Sequence, residues 1–262
     1  MLETMLSARR HYNRLLFTSD QCERLDVVLV TPRNPLNMGA AARAMANFGF
    51  SRLAVVAPYA AFWREARSAV GAPDVLLGAS ESATLAEAVA GCTLVVGTGS
   101  LTYRKPEQPV VALPDLAPLL VGELARGGRI ALVFGPENHG LTRDDLAYCN
   151  VLVEIPTDTR QPSMNLGQAV AVCLYELVRS ATAATTFLET SCQQSTSADL
   201  ELLANVVEET IVAADNSPAS TLEANRHDLR LLLRRLSPTK RDTRRILGVF
   251  RRILWRLKRI PI

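Results

Sequence analysis

The sequence predicts an α/β protein with a mostly parallel β-sheet, helices on both faces of that sheet, and a small helical extension after it. Short aliphatic and β-branched runs, such as DVVLV at 26–30 and LAVVA at 53–57, are typical of buried strands. An alanine-rich helical pattern separates these two runs, and a strand, a helix and a strand in succession predict parallel pairing. The 262 residues, 48% of them hydrophobic and 21% charged, indicate a globular protein with a substantial core.

The elements of the sheet domain follow from local patterns along the chain. The predicted strands occupy residues 26–30, 53–57, 93–98, 130–134 and 151–155. The predicted helices occupy residues 38–50, 62–79 with a break at 71–73, 84–90 and 142–148. Residues 101–118 contain several prolines and are expected to be mostly loop. From Leu166 onward, apolar residues recur at i, i+3, i+4, i+7 and i+8, which predicts a final helix capped by Ser163 or Asn165.

The remainder of the chain divides into an N-terminal extension, a linker and a helical extension. Residues 1–25 are rich in arginine and lack the apolar run of a signal peptide, so we expect a short extension there. The sheet domain is predicted to span residues 26–180. Residues 181–199 are polar and weakly patterned, which is typical of a linker. Residues 200–262 contain three amphipathic helical patterns with basic faces.

The distribution of charge predicts a polyanionic partner. Residues 226–262 carry thirteen lysines or arginines against two aspartates, whereas the preceding 225 residues carry sixteen basic against twenty-four acidic residues. A basic module on a mildly acidic body favours RNA or DNA binding over a merely solvated face.

Cysteine, histidine and hydropathy patterns narrow the class of protein further. Five cysteines without a CxxC pair predict reduced thiols in a cytoplasmic protein. Three histidines far apart predict no metal site, and the lack of any run of 18 apolar residues predicts no membrane span.

Three loops rich in glycine, proline and asparagine are the candidates for a ligand site. They are TPRNPLNMG, GPENHG and PTDTRQPSMN, and each follows a predicted strand. Ligands of open α/β sheets bind at the carboxyl ends of the strands, where such loops meet. The lone GTG at 97–99 is weak support for a dinucleotide, and the lack of GxxxxGK[ST] and GxSxG patterns argues against nucleoside triphosphate binding and serine hydrolase chemistry.

These loops also carry a resemblance to a known family. The segments NPLNMGAAARAMANFGF, LVFGPENHGLT and VEIPT…PSMNLGQAVAV resemble, in order and spacing, the three motifs of the SpoU/TrmH branch of the SPOUT methyltransferases. The basic segment LRLLLRRLSPTKRDTRRILGVFRRIL is similar to the C-terminal extension of the TrmJ subfamily. The resemblance implies a C-terminal trefoil knot in the sheet domain, a homodimer with active sites at its interface, and S-adenosylmethionine as cofactor. It further implies methylation of a ribose 2′-hydroxyl in the tRNA anticodon loop, at position 32.

The resemblance also assigns roles to individual residues. It implies a catalytic group of Arg43, Asn37, Glu137, Ser163 and Asn165. It implies cofactor contacts from Thr98, Gly135, Ile155, Pro156, Met164 and Leu166. The family's mechanism makes Arg43 the base that accepts the hydroxyl proton, but a guanidinium is normally always protonated, so a bidentate phosphate contact is the alternative. For Asn37 and Glu137 the alternative is a purely structural role as helix caps.

Two other functions stay open at this point. A ribosomal RNA 2′-O-methyltransferase would carry the same motifs. A non-catalytic RNA-binding protein of the same fold is the alternative from another class, and the presence of all five catalytic candidates argues against it.

Overall fold

Seven strands form one parallel sheet in the order β3-β2-β1-β6-β4-β7-β5. The computed structural model describes residues 17–59, 63–66, 68–99, 106–158, 160–180, 193–214 and 219–259. The strands are β1 (Leu25–Val30), β2 (Leu53–Val56), β3 (Ser80–Ser82), β4 (Leu94–Thr98), β5 (Val110–Ala112), β6 (Ile130–Phe134) and β7 (Val151–Glu154). The parallel sheet and the helices around it confirm the predicted fold class, while the trefoil knot stays a prediction.

The helices of the sheet domain cover both faces of the sheet. They are α1 (Ser19–Cys22), α2 (Pro35–Asn47), α3 (Pro73–Leu77), α4 (Leu85–Ala88), α5 (Leu113–Ala125), α6 (Arg143–Leu146) and α7 (Leu166–Ser180). Alternate residues of each strand point to opposite faces, so Val27 and Leu29 pack with α2, α5 and α7, whereas Val28 and Val30 pack on the α4 side. Because both faces are buried, the strands contain near-continuous apolar runs.

Two segments differ from the predicted pattern. The predicted loop at 101–118 is wrong from residue 110 onward, because β5 and α5 lie there. Pro114 occupies the first turn of α5, where its missing N–H costs nothing, and burial of Leu116 and Leu120 offsets the bond lost at Pro118. Most of the helix predicted at 62–79 is also absent from the described residues, which contain a short 3₁₀ turn (Trp63–Glu65), α3 and the unpredicted edge strand β3.

The C-terminal extension is a bundle of three helices. They are α8 (Ser197–Ala214), α9 (Ala219–Leu236) and α10 (Lys240–Leu257). Leu203, Val207, Leu233 and Leu247 form a small core of their own. The predicted helical extension is therefore confirmed, although α8 begins three residues before the predicted boundary because Thr196 and Asp199 cap it reciprocally.

The bundle docks on the sheet domain through both backbone and side chains. The Ser197 N–H donates to the Cys92 carbonyl at 2.7 Å, next to the start of β4. Arg234 is 2% exposed and lies with Arg230 over the ring of Tyr148, at 6.0 and 4.9 Å from its centroid. Glu201 forms ion pairs with both guanidinium groups, at 3.3 and 3.0 Å, so the buried charge of Arg234 is paired.

The predicted boundaries at the two ends of the sheet domain are only partly described. Residues 1–16 and 181–192 lie outside the described residues. Phe17 is buried against Phe50 and α1 follows it, so residues 17–25 belong to the sheet domain and not to a separate extension. No helix in the described ranges is long and apolar enough to cross a membrane.

Close packing of α2 on α7 depends on Gly167. A Cβ atom at this position would lie 2.6 Å from the Ala40 Cβ, so a side chain there must push the two helices apart. We expect Gly167→Val to lower the free energy of unfolding by about 1–3 kcal/mol, measured by urea denaturation. Gly248 is the matched control, since a Cβ there meets no atom within 4 Å, and Gly248→Val should cost no stability. Equal unfolding free energies for the two variants would contradict this packing.

Candidate functional site

A cavity of about 270 Å³ opens at the carboxyl ends of β4, β6 and β7. Its walls come from the loops after these strands and from the first turn of α7, with apolar side chains at Phe134, Leu141, Ile155, Met164 and Leu166. The cavity thus lies where ligands bind in open parallel sheets, and two of the three predicted loops line it.

The first loop leads into α2, which begins earlier than predicted. Asn34 is the N-cap, its Oδ1 accepting the Leu36 N–H at 2.9 Å, and Pro35 occupies the first turn. The alternative role of Asn37 as the cap is therefore wrong. Asn37 lies inside the first turn, where its side chain can reach the other loops.

Glu137, in the second loop, accepts hydrogen bonds from the first loop. Its Oε1 accepts the Asn37 Nδ2–H at 2.9 Å and the Asn34 N–H at 3.2 Å. Its Oε2 accepts the Arg33 N–H at 3.2 Å. The carboxylate therefore satisfies donors at the N-terminus of α2, where the helix dipole favours negative charge.

Asn165 extends this network to the third loop. Its Nδ2 donates to the Asn37 Oδ1 at 2.8 Å, while its own Oδ1 accepts the Gly167 N–H at 2.9 Å and so caps α7. Of the two predicted caps, Asn165 is confirmed, and Ser163 is an exposed residue on the cavity wall. One chain of hydrogen bonds, Glu137 to Asn37 to Asn165, therefore connects all three loops.

Hydrogen bonding keeps Glu137 ionised. Burial alone would raise the pKa of this carboxyl, but the bonds from Asn37 and from the backbone N–H groups of Glu137, Arg33 and Asn34 outweigh it and hold the pKa below its ordinary value. A carboxylate that is fully engaged in this way is suited to positioning and not to accepting a substrate proton.

Glycines give the second loop its tight path. A Cβ at Gly135 would lie 2.2 Å from the Leu141 backbone nitrogen, so only glycine fits where the loop folds back on itself. Gly140 takes a φ of +68°, in the left-handed region that favours glycine. The backbone of this loop is thus held at the cavity wall.

The structure brings most predicted site residues to one place. Lining the cavity are Thr98, Gly135, Glu137, Ile155, Ser163, Met164 and Leu166. Thr98 is buried and its hydroxyl donates to the Val133 carbonyl at 2.9 Å, so it fixes the floor of the cavity. Pro156 is exposed and is not among the lining residues.

Arg43 stands apart from the cavity within one chain. It lies six residues after Asn37, about 9 Å farther along the axis of α2 and about 120° around it. Its side chain is exposed and makes no hydrogen bond or ion pair with a described residue. Leu36, Ala40 and Arg43 share one stripe of α2 beside α7.

Comparison with known proteins agrees with the three-loop site. The family described as the SpoU rRNA Methylase family matches residues 24–175, which include all three loops. The chain belongs to this family. The predicted resemblance to the SpoU/TrmH branch is therefore confirmed.

Relatives of this SpoU family member carry TrmJ names. The chain is 41% identical to the tRNA (cytidine/uridine/adenosine-2′-O-)-methyltransferase TrmJ of Pseudomonas aeruginosa over 156 residues. This alignment covers 59% of this chain and 60% of that relative. It is 34% identical over 181 residues to the tRNA (cytidine-2′-O-)-methyltransferase TrmJ of Methanocaldococcus jannaschii, covering 68% and 77%. The crystal structure of TrmJ from Z. mobilis superposes with a TM-score of 0.77 at 29% identity, over 87% of this chain and 98% of that one.

Sequence patterns missed several residues of the candidate site. The N–H groups of Arg33 and Asn34 bind Glu137, and Ala169 on α7 lines the cavity. The Asn-Pro pair at 34–35 is a signal for the turn that starts α2. Within the described residues, no group of three or more histidine, cysteine, aspartate or glutamate side chains is arranged to hold a metal ion.

Replacing the Glu137 carboxylate should destabilise the protein in a pH-dependent way. In Glu137→Gln the amide Nε2, which cannot accept a hydrogen bond, would face an N–H donor. We therefore expect a lower free energy of unfolding at pH 7 than in the wild type. Because the folded-state pKa of Glu137 lies below its ordinary 4.5, the contribution is present above 4.5 and is lost as the pH falls through the folded-state value. The difference between the two proteins should therefore narrow below pH 4.5, measured by urea denaturation across pH.

The matched control for this experiment is Glu107→Gln. Glu107 is exposed and accepts no hydrogen bond from a described residue, so its replacement should leave the free energy of unfolding nearly unchanged at each pH. A Glu137→Gln variant as stable as this control at pH 7 would contradict the positioning role of Glu137.

Proposed function

We propose that this protein transfers a methyl group from S-adenosylmethionine to a ribose 2′-hydroxyl of tRNA, in the anticodon loop at position 32. The observation that carries the proposal is the Glu137–Asn37–Asn165 chain beside an apolar cavity in a member of the SpoU family. The TrmJ names of its relatives support tRNA over ribosomal RNA as the substrate.

The cavity has the chemistry that the cofactor requires. Ile155, Met164 and Leu166 offer apolar walls for an adenine ring, and the loop at Gly135 offers backbone groups at close range. The cofactor would supply a methyl group on a sulfonium, which needs no further activation and no metal ion. The protein's own task is then to place the ribose oxygen in line with that methyl group and to remove the hydroxyl proton.

Ser163 at the cavity wall and Asn165 next to it would position the ribose. Ser163 and Asn165 are exposed beside Met164, at the start of α7. Asn165 is held by Asn37 and by the α7 backbone, so its amide has a fixed orientation. A ribose hydroxyl bound here would meet a preorganised group, which favours the transition state over the free reactants.

Arg43 completes the site if the protein is a homodimer. Its stripe on α2 includes Leu36, which is 56% exposed, and Tyr175 on the neighbouring α7 is 55% exposed. Two copies that pack through these helices would bury the apolar side chains and bring Arg43 of one copy toward the cavity of the other. There it would hold the RNA phosphate in a bidentate contact and stabilise charge on the attacking oxygen.

The remaining features agree with a cytoplasmic RNA enzyme. The arginines of α10 give the chain an electrostatic footprint for RNA. Cys22, Cys92, Cys149 and Cys173 are buried and unpaired, as expected in a reducing compartment.

Methyl transfer from labelled S-adenosylmethionine to total tRNA tests the proposal. We expect transfer with the wild type and a loss of about a hundredfold or more with Arg43→Ala. Arg43→Lys keeps the charge but not the bidentate geometry and should stay impaired. Asn47→Ala is the control on the same stripe of α2 and should retain activity.

The outcomes separate the competing functions. Transfer to ribosomal RNA but not to tRNA would replace the substrate. Cofactor binding without transfer to either RNA would favour the non-catalytic protein. Normal methylation by Arg43→Ala would show that the assignment of Arg43 is wrong.

A further inference from the structure

One face of α10 carries arginines that are not used within the described structure. Arg244, Arg245, Arg251, Arg252 and Arg256 are exposed, and none makes a hydrogen bond or ion pair with a described residue. At about 100° per residue, they fall within an arc of about 140°. Exposed guanidinium groups on one face of a helix are suited to a row of phosphates.

Trp255 lies within this basic arc. It follows Arg251 by one helical turn, so these two side chains are neighbours on the helix surface, and Arg259 follows just after the C-cap Lys258. The indole is 54% exposed. A large aromatic side chain among arginines costs solvation and packs no core, so its position points to a ligand with both charged and aromatic parts.

Part of the apolar side of α10 packs against the rest of the bundle. Thr243, Leu247 and Leu254 point away from the basic arc and are buried, and Leu247 contacts the core that α8 and α9 contribute to. A helix that lies on a membrane needs a free apolar face opposite its charges. Ile246, Val249 and Ile253 are 38%, 54% and 42% exposed beside the buried residues, so a lipid surface is the alternative outcome of the test below. The five arginines around one indole favour a nucleic acid.

The surroundings of Trp255 leave room for a planar group. The Arg259 guanidinium stacks on the indole, 3.8 Å from the ring centroid, and orients it. Two turns earlier on the same face, a Cβ at Gly248 would meet no atom within 4 Å. Gly248 lies inside a helix, where glycine costs about 0.5–1 kcal/mol relative to alanine without a packing reason. An open surface pocket lined by Arg251, Arg252, Trp255 and Arg256 lies beside the indole.

We propose that Trp255 is a stacking platform for an unpaired nucleobase of the RNA, flanked by arginines that bind the adjoining phosphates. This inference rests on the proposed function, because it gives the RNA substrate a second contact on the helical extension. Stacking on an aromatic ring is tolerant of sequence and requires an unstacked base, so the site selects a single-stranded or extruded segment and not a perfect duplex.

Tryptophan fluorescence of the full chain tests the site directly. The chain has two tryptophans, of which Trp63 is 1% exposed and Trp255 is 54% exposed. Subtracting the emission of Trp255→Phe from that of the wild type isolates Trp255 without disturbing the buried Trp63. We expect oligouridylate to quench the Trp255 emission and a blunt RNA duplex of the same length to leave it nearly unchanged.

Affinity measurements with the same probes give an independent readout. Trp255→Ala should weaken binding of oligouridylate about tenfold, while Trp255→Phe should lose less. Val249→Ala is the matched control, because Val249 has the same 54% exposure on α10 but lies outside the basic arc. It should bind as the wild type does.

Each failure has a distinct meaning. Equal affinity of Trp255→Ala and Val249→Ala for oligouridylate, or equal quenching by the duplex, would overturn the stacking site. A blue shift of Trp255 emission with phosphatidylserine vesicles, without quenching by RNA, would overturn it in favour of a membrane surface. Either result can occur while the wild type still methylates tRNA, so the proposed function fails or stands by the transfer assay alone.

Discussion

The Glu137 carboxylate is the interaction on which the geometry of the site depends. It comes from the loop after β6, and it accepts hydrogen bonds from the backbone and side chain at the start of α2, a helix that follows β1. Through Asn37 it also fixes Asn165 and hence the start of α7. Ordering each loop costs conformational entropy, and the hydrogen bonds of one carboxylate, extended through Asn37, hold all three loops together. The apolar cavity exists because these loops are held at the same edge of the sheet.

The same loop connects the cavity to the helical extension. After Glu137 the chain passes through α6 to Tyr148, where Arg230 and Arg234 of α9 stack on the ring. The Arg143 Nε–H, at the start of α6, donates to the Nε2 of His227 on α9 at 3.1 Å. A short segment therefore touches the cavity at one end and the basic bundle at the other. This arrangement gives the bundle a defined position relative to the site, because Arg230 and Arg234 lie over the Tyr148 ring and the Ser197 N–H donates to the Cys92 carbonyl.

The sheet was predictable where local patterns and tertiary packing agree. Buried parallel strands such as β1 and β6 show continuous apolar runs, and the capping pairs Thr84 with Glu87 and Thr142 with Asp145 are readable from spacing alone. Predictions failed where packing overrides propensity. The helix α5 forms in spite of Pro118 because its apolar side is buried, and β3 is a short polar edge strand that only its pairing with β2 defines.

The resemblance named the residues that meet at the three loops, but their contacts were not predictable, and their roles stay predictions. Resemblance assigned Asn37, Glu137 and Asn165, yet no spacing in the sequence shows that they bond to each other across about 100 residues. The backbone donors of Arg33 and Asn34 are invisible to side-chain patterns. Arg43 marks the opposite limit, since it is exposed and lies apart from the cavity, and the role that the resemblance implies for it stays a prediction.

Binding of S-adenosylhomocysteine, measured by isothermal titration calorimetry, tests the central claim that the cavity beside Glu137 holds the cofactor. Ala169 lines the cavity on α7, and Ala169→Trp would fill it, whereas the neighbouring Gln168 is exposed and is not among the lining residues. The wild type and Gln168→Trp should bind one ligand per chain, and Ala169→Trp should bind none while remaining folded. Undiminished binding by Ala169→Trp would place the cofactor elsewhere and contradict the account.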